Sequence, residues 1–348
     1  MDVHQSDRLL AWYDEVKRDL PWRHSKDPYI IWISEIILQQ TRVEQGLPYF
    51  DKFQERFPDV SSLASSEEDA VLKLWEGLGY YSRARNMRSA AKQVIVDFDG
   101  VFPSTYDDII KLKGVGPYTA AAISSIAFDE KKPCIDGNVL RVMSRFLATE
   151  RSIDEPKTKQ WFEEILSEAI SKDRPGDFNQ AMMELGATIC LPKQADCGSC
   201  PLADSCEARR LDKALNFPIR TKKVKKRDRF FIYLMIDHNG ETFLRRRPEG
   251  DIWQGLYEFP MLEVNSESEL NDPVTGLSDA GIWKDDFVLA EVSTVFKHIL
   301  THQNIKAVFV RATTGQSIQM EKTVSCRVEE LSNFALPRLI NGYLETLI

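Results

Sequence analysis

Four of the six cysteines fall in one short segment, with the spacing C-x6-C-x2-C-x5-C. Four thiols in one irregular stretch suit a tetrahedral zinc ion or a four-iron cluster. Two local disulfides are the alternative, but the chain shows no signal peptide and nothing else typical of secretion. Zinc sites more often combine two separate Cys-x2-Cys pairs, whereas this segment contains one. The spacing therefore favours a [4Fe-4S] cluster held by Cys190, Cys197, Cys200 and Cys206.

Length and charge limit the possible number of domains and the possible binding partners. The 348 residues are enough for two domains, and no apolar run is long enough to span a membrane. The net charge of -8 argues weakly against a nucleic-acid partner, although the positions of the charges matter more than their sum. Residues 207–229 carry ten basic and three acidic side chains. We expect a basic linker there, and contact with phosphate groups is left open.

One acidic residue interrupts an apolar helix. The pattern of residues 29–41 predicts a helix, and Glu35 stands inside its apolar run. A carboxyl group in that place is either structural or lodged in a cleft. Desolvation would raise its pKa and let it hold a proton near neutral pH, which is the property of a general acid. The residues alone leave both interpretations open.

Two glycine-containing segments have the character of phosphate-binding turns. Residues 105–127 predict a helix, a Gly-Val-Gly hairpin and a second helix that begins at Pro117. The free amides at that helix N-terminus form an anion site, although a plain tight turn between helices is the alternative. Residues 77–86 combine two glycines, two tyrosines and two arginines, which suits stacking and phosphate contacts or a simple helical corner.

A second carboxylate precedes another helix. Asp136 has the character of an N-cap, which alone would explain it. A cap also receives N–H groups, so we expect Asp136 to stay ionised while Glu35 stays protonated. A pair of carboxyl groups whose pKa values are pushed apart provides an acid and an anionic stabiliser.

The character of the chain changes after the basic segment. Residues 230–237 predict a strand and Asn239-Gly240 predicts a hairpin turn. Residues 242–244 are then expected to form the returning strand. Further strands are expected near 287–296 and 304–311. The prediction is a two-domain chain, with an all-α region followed by an α+β domain.

These stretches together resemble the helix-hairpin-helix DNA glycosylase superfamily. Residues 34–43 (Ser-Glu-Ile-Ile-Leu-Gln-Gln-Thr-Arg-Val) and 77–86 resemble adenine DNA glycosylases of the MutY type, and residues 250–260 resemble that family's Nudix-like 8-oxoguanine-recognition domain. The resemblance implies a glycosylase region at 1–206, a linker at 207–229 and a Nudix-like domain at 230–348. Within the first region it implies a six-helix barrel at about 26–133 and an iron–sulfur subdomain from 1–25 and 134–206.

The resemblance also implies the chemistry. Glu35 would protonate an extruded adenine at N7, and ionised Asp136 would stabilise the oxocarbenium-like sugar. Tyr118 and Asn138 match positions that support these carboxyl groups. Endonuclease III-like relatives carry a lysine where Tyr118 stands, so base removal without strand cleavage is expected. A bifunctional endonuclease III-like enzyme, a non-enzymatic damage binder and a zinc-containing DNA-binding protein are the alternatives.

Further residues match family positions in the substrate sites. The adenine pocket would be lined by Trp22, Arg23, Leu38 and Gln180, where a relative can carry Glu in place of Gln180. DNA or the lesion would be contacted by Gln40, Thr41, Tyr80, Gly114 and Gly116. The partner would be duplex DNA with A·8-oxoguanine or A·G mispairs. The protein would be a cytoplasmic monomer, associated with the nucleoid in a prokaryote.

The lesion reader departs from the family pattern. Where the family usually has Phe-Ser-His, this chain has Leu300-Thr301-His302, which keeps a hydroxyl but loses an aromatic ring. Phe296-Lys297-His298 is the alternative register. No Nudix box is present in the sequence, so we expect no pyrophosphatase activity.

Overall fold

The computed structural model describes residues 1–222, 225–316, 318 and 320–347. Its residues form two compact units, one of Met1–Ser65 with Asn86–Lys222, the other of Ser66–Arg85 with Lys223–Ile348. We call these the first and second unit. Within the described ranges, no helix is both long enough and apolar enough to cross a bilayer.

The helices are, in chain order, α1 (Val3–Val16), α2 (Pro28–Leu38), α3 (Val43–Arg56), α4 (Val60–Ala64), α5 (Glu68–Leu74), α6 (Ser82–Asp97), α7 (Tyr106–Ile109), α8 (Pro117–Phe128), α9 (Gly137–Phe146), α10 (Pro156–Ala169), α11 (Pro175–Thr188), α12 (Glu207–Arg210), α13 (Pro273–Asp279) and α14 (Arg338–Leu344). The strands are β1 (Arg227–Asp237), β2 (Glu241–Arg246), β3 (Tyr257–Glu258), β4 (Met261–Val264), β5 (Val288–Val292), β6 (Phe296–Ile299), β7 (Gln303–Thr313) and β8 (Thr323–Arg327).

The first unit is helical, and its centre is formed by α2 and α8, which pack against each other. Helix α2 is apolar on nearly every face because it is buried on nearly every face. Asp27 caps it by accepting a hydrogen bond from the Tyr29 amide, as the Asp-Pro pair predicts. Helix α8 is rich in alanine, whose small side chains allow close approach.

The predicted hairpin connects α7 to α8. Gly114 has a φ of 78°, a left-handed conformation that glycine adopts without strain. Gly116 is the N-cap of α8 and Pro117 is its first residue, where no amide hydrogen is needed. The helix, hairpin and helix predicted for residues 105–127 therefore agree with α7, the intervening turn and α8.

The second unit is built on two sheets. In the larger sheet the order is β4-β1-β7-β5, with β6 also paired to β7, and β1 runs parallel to β7. The smaller sheet has the order β3-β2-β8. Buried side chains of β1 and β7 pack with α13 and the segments around it, which gives this unit its own core. An α+β domain is what the sequence predicted.

Three local predictions differ from the structure. The apolar spacing of residues 7–20 predicts one amphipathic helix. Helix α1 instead covers Val3–Val16, because Asp2 forms a capping box with Gln5. His238 and Glu241 pair around the Asn239-Gly240 turn, but β1 and β2 then join different sheets rather than one hairpin.

The third difference is the linker, since α12 begins at Glu207 and β1 begins at Arg227. Ala208 and Phe217 are buried, so much of the segment is packed rather than free. Lys223 and Val224 of its basic run lie outside the described residues.

Candidate active site

A carboxyl–phenol pair lies between α2 and α8. The Tyr118 hydroxyl donates a hydrogen bond of 2.6 Å to Oε2 of Glu35 and lies 3.1 Å from Sδ of Met183. Desolvation by burial raises the pKa of Glu35 to about 7, although the Tyr118 hydrogen bond opposes this rise. The carboxyl group is thus able to carry a proton near neutral pH.

Asp136 stands at the N-terminus of α9. Its Oδ1 accepts a hydrogen bond of 2.7 Å from the Val139 amide, and its Oδ2 accepts one of 2.9 Å from the Asn138 side chain. Burial nevertheless raises the pKa of Asp136 above its ordinary value. The prediction that the pKa values of Glu35 and Asp136 shift in opposite directions is therefore wrong, because the sequence showed the cap but not its desolvation.

The two carboxyl groups belong to one electrostatic system. The negative charge of Asp136 contributes to the raised pKa of Glu35, and both groups raise the pKa of the buried Cys134 thiol. Asp136 receives more hydrogen bonds than Glu35, so it ionises more readily of the two. Glu35, Asp136 and Tyr118 are each partly exposed, which leaves the pair open to a ligand.

The predicted pocket residues have unequal surroundings. Trp22 is 8% exposed and packs edge-on against Phe50, with ring centroids 5.2 Å apart. Leu38 and Gln180 are half-buried on α2 and α11. Gln40 is exposed with a φ of 57°, and the Thr41 hydroxyl donates to the Gln39 carbonyl oxygen at 3.4 Å.

The hairpin glycines differ in the space around them. A Cβ atom on Gly114 would lie 2.6 Å from Cβ of Asn86, whereas one on Gly116 would meet nothing within 4 Å. Gly116 therefore leaves the amides at the start of α8 open.

The predicted lesion-reading residues lie in the second unit. Tyr80, which has a φ of 48°, places its hydroxyl 2.5 Å from Oγ1 of Thr301. Both residues line a cavity of about 500 Å³ together with Leu300 and His302. In the alternative register, Phe296 packs its ring against Phe309 and Tyr343, so it is used within the domain.

The four clustered cysteines line one cavity of about 30 Å³ in the first unit. Arg145 Nη1 donates to Cys190 Sγ at 3.2 Å, and backbone amides donate to Cys200 and Cys206. In the part of the chain that the structure describes, no three His, Cys, Asp or Glu side chains are arranged to hold a metal ion. The donor chemistry and its N–H groups nevertheless fit an iron–sulfur cluster better than a disulfide pair.

Comparison with known proteins decides the family. Residues 33–168 match the HhH-GPD superfamily of base excision DNA repair proteins, and residues 231–346 match the NUDIX domain. The adenine DNA glycosylase of Buchnera aphidicola (strain APS) is 36% identical over 264 residues, which cover 76% of this chain and 75% of that protein. The chain belongs to the adenine DNA glycosylase family. This confirms the predicted DNA glycosylase enzyme of base excision repair.

A further adenine glycosylase and the solved structure of another DNA glycosylase are also similar to this chain. The adenine DNA glycosylase of Arabidopsis thaliana is 36% identical over 301 residues, and the match covers 75% of this chain but 48% of that longer protein. The structure of a thermostable thymine-DNA glycosylase is 28% identical with a TM-score of 0.55, covering 59% of this chain and 95% of that one. The solved structure and the HhH-GPD match confirm the helical glycosylase fold, and the NUDIX match confirms the Nudix-like domain.

Sequence analysis missed an acidic residue of this glycosylase. Glu184 on α11 is 1% exposed and binds Arg23 at 2.7 Å and Arg18 at 2.7 Å. These ion pairs hold the pKa of Glu184 below its ordinary value despite its burial. Arg23, predicted to line the adenine pocket, also lies over the Tyr13 ring. The signal was available, since Glu184 interrupts an apolar run just as Glu35 does.

Proposed function

We propose that this adenine glycosylase removes adenine from A·8-oxoguanine and A·G mispairs in duplex DNA, and that it leaves the strand uncut. The observation that carries the proposal is the Glu35 carboxyl group, whose pKa is raised to about 7 by desolvation and by the charge of the helix-capping Asp136. Family membership supports adenine as the base that is removed. The hydrogen-bonded pair of Tyr80 and Thr301 supports recognition of the base opposite adenine.

Glu35 acts as the general acid in the proposed reaction. Its proton passes to N7 of the extruded adenine, and the C1′–N9 bond then breaks with its electron pair moving to the base. Tyr118 holds the carboxyl group in place from one side. After the base leaves, the ionised Glu35 accepts a proton from the water that adds to C1′. One water is consumed, and free adenine and an abasic sugar are the products.

Asp136 stabilises the positive charge that develops on the sugar. An anion close to C1′ offsets an oxocarbenium-like cation, and the Val139 amide and the Asn138 side chain keep that anion in position. Arg141 Nη2 donates to Asn138 Oδ1 at 2.9 Å, so the supporting residue is itself fixed. The remaining adenine contacts are proposed for Trp22, Arg23, Leu38 and Gln180.

Two sets of residues are proposed to contact the base opposite adenine. Gln40 and Thr41 follow α2, and Tyr80 and Thr301 share a hydrogen bond. The Thr301 hydroxyl suits the N7–H that distinguishes 8-oxoguanine from guanine, with Leu300 and His302 beside it. Gly114 and Gly116 would bind a phosphate through the amides of the hairpin.

Cys190, Cys197, Cys200 and Cys206 are proposed to hold a [4Fe-4S] cluster. When bound, such a cluster supplies a rigid cross-link for the loop rather than a reacting group. Arg145 would compensate the thiolate charge through its contact with Cys190. Iron and sulfide analysis with the visible spectrum of the purified protein tests the assignment, and a colourless zinc protein would contradict it.

Release of free adenine is the decisive measurement for the proposed function. Single-turnover assays on A·8-oxoguanine, A·G, A·T and C·8-oxoguanine duplexes should give adenine from the first two. Glu35→Gln should still bind the duplex but release none. Strand breaks without alkali, or a borohydride-trapped adduct, would instead indicate the bifunctional chemistry that a lysine at position 118 would allow.

A further inference from the structure

The cavity in the second unit has walls that the proposed function leaves unassigned. Besides Tyr80 and Thr301, it is lined by the loop residues 251–254 and by His298. Its volume of about 500 Å³ lies within the range of sites for small ligands and nucleobases. Trp253 and His298 therefore face the same space as the residues that read the lesion.

Trp253 has an unusual backbone. Its φ is 58°, in the left-handed region that bulky side chains avoid. Such a conformation persists only where the surroundings hold it, and it is found most often at functional sites.

Arginines hold the loop around Trp253. Arg229 and Arg247 bind the Asp251 carboxylate. The carbonyl oxygens of Ile252, Gln254 and Gly255 accept hydrogen bonds from Arg247, Arg85 and Arg246, respectively. The charged groups of Arg229 and Arg247 are themselves buried, which makes these contacts stiff. The loop is therefore built to keep one side chain in one place.

The Trp253 ring meets the strand that leads to the reader. The ring is 9% exposed and makes an edge contact with the His298 ring, with centroids 5.7 Å apart. Burial and the nearby Arg338 charge lower the pKa of His298, so its ring is neutral at neutral pH. A neutral imidazole can pack against an indole without the energetic cost of removing water from a charged ring.

His298 is rigidly connected to Thr301. It lies on β6, which pairs with β7, and the Leu300 amide donates to the Gln303 carbonyl oxygen at 2.8 Å across the short turn. A displacement of His298 would therefore move the Thr301 hydroxyl. Leu300 has no aromatic ring that could hold the Thr301 hydroxyl in place, whereas Trp253 has one that packs against His298.

We propose that Trp253 is a positioning residue for lesion discrimination, which acts through His298 to set the place of the Thr301 hydroxyl. The inference rests on the proposed function, because it concerns how that function distinguishes 8-oxoguanine from guanine. Trp253 itself has no part in breaking the glycosidic bond.

The test compares Trp253→Ala, Trp253→Phe and His298→Leu in the full-length protein. Single-turnover adenine release is measured on A·8-oxoguanine and on A·G, and the ratio of the two rates is the readout. Trp253→Ala and His298→Leu should lower this ratio by about tenfold, the worth of one recognition hydrogen bond. Trp253→Phe keeps a ring and should retain most of the ratio.

Trp283→Ala is the matched control. Trp283 lies in the same unit and makes a similar edge contact, at 5.7 Å from Phe287, but it does not line the cavity. Its loss should leave the ratio unchanged. If Trp253→Ala fails to fold, His298→Leu decides alone.

The outcomes separate the two proposals. A wild-type protein that releases no adenine from either duplex contradicts the proposed function. A wild-type protein that prefers A·8-oxoguanine, with variants whose two rates fall in parallel or stay unchanged, overturns the role of Trp253.

Discussion

Among single residues, the protonation of Glu35 sets the pH range of the reaction. Its pKa is about 7, and the proton needed by adenine is present below that pH and lost above it. Adenine release should therefore decline as the pH rises through about 7. Asp136 must be ionised, so its own raised pKa limits the rate on the acid side. Single-turnover rates across the pH range check this, and a flat profile around neutrality would rule it out.

The same raised pKa has a cost in stability. Between 4.5, the ordinary value, and about 7, the folded protein holds a proton on Glu35 that the unfolded chain has lost. Stability from this group therefore falls as the pH rises through that window. Glu35→Gln should raise the free energy of unfolding by about 2 kcal/mol at about pH 8, after a reduction for partial exposure, and by nothing near pH 4.

Urea unfolding at the two pH values measures this difference. Glu15→Gln on α1 replaces an exposed glutamate and is the control, with no such pH-dependent gain. Equal stabilities of wild type and Glu35→Gln at both pH values would show that Glu35 is not desolvated.

Removing the Tyr118 hydroxyl should move the alkaline limit of the reaction. Its hydrogen bond to Glu35 favours the carboxylate, so Tyr118→Phe should raise the pKa of Glu35 and shift that limit to higher pH. Tyr29→Phe is a matched control, since its hydroxyl donates instead to the Phe57 carbonyl oxygen at 2.8 Å. The expected profile of Tyr29→Phe is that of the wild type. A shift in both variants would point to general loosening.

The sequence predicted some of these residues and missed others for physical reasons. Glu35 was found because a carboxyl group inside an apolar helical run is costly to bury and therefore indicates a special role. The cap role of Asp136 was also found, but its desolvation depends on neighbours distant in the chain. Glu184 interrupts an apolar run in the same way, but the sequence does not show its two arginine partners, which lie more than 150 positions away.

For individual elements, the hairpin between α7 and α8 offers a direct comparison of two glycines. Gly114→Ala would force a left-handed alanine and bring its Cβ to 2.6 Å from Asn86, so it should destabilise by about 1–3 kcal/mol. Gly116→Ala meets open space at an N-cap and should cost less than about 1 kcal/mol. Chemical unfolding of both variants measures the difference, and equal losses would contradict the geometry.

Helices were easier to predict than strand partners. The apolar run of residues 29–41 extends over several turns, so the local sequence identified α2. The Asn239-Gly240 turn was also local, yet the sheet that each flanking strand joins depends on β7 and β8, which follow much later. Pairing at long sequence separation leaves no periodic trace.

In the molecule as a whole, residues 66–85 belong to the second unit, whose other residues follow them by well over a hundred positions in the chain. Asp69 accepts a hydrogen bond of 2.9 Å from the Tyr257 hydroxyl, and Glu76 accepts one of 2.6 Å from Asn341. The sequence placed this segment in the glycosylase region, because no local pattern reports such contacts.

Truncation tests this grouping. A chain ending at Lys222 lacks Tyr257 and Asn341, so residues 66–85 should be cut rapidly by protease while residues 86–222 persist. Limited proteolysis followed by mass spectrometry gives the cleavage sites, with the full-length chain as the control. Equal resistance of residues 66–85 in both chains would show that other contacts hold them.

Asp136 has two duties, since the oxygen that caps α9 belongs to the anion proposed to face the sugar. Alanine in its place would therefore inactivate the protein and fray a helix at once, and the two losses could not be told apart. Asparagine keeps an oxygen for the Val139 amide, and it removes the negative charge together with the acceptor of the Asn138 side-chain hydrogen bond. Investigators who want an intact but silent protein to capture its substrate should choose Asp136→Asn.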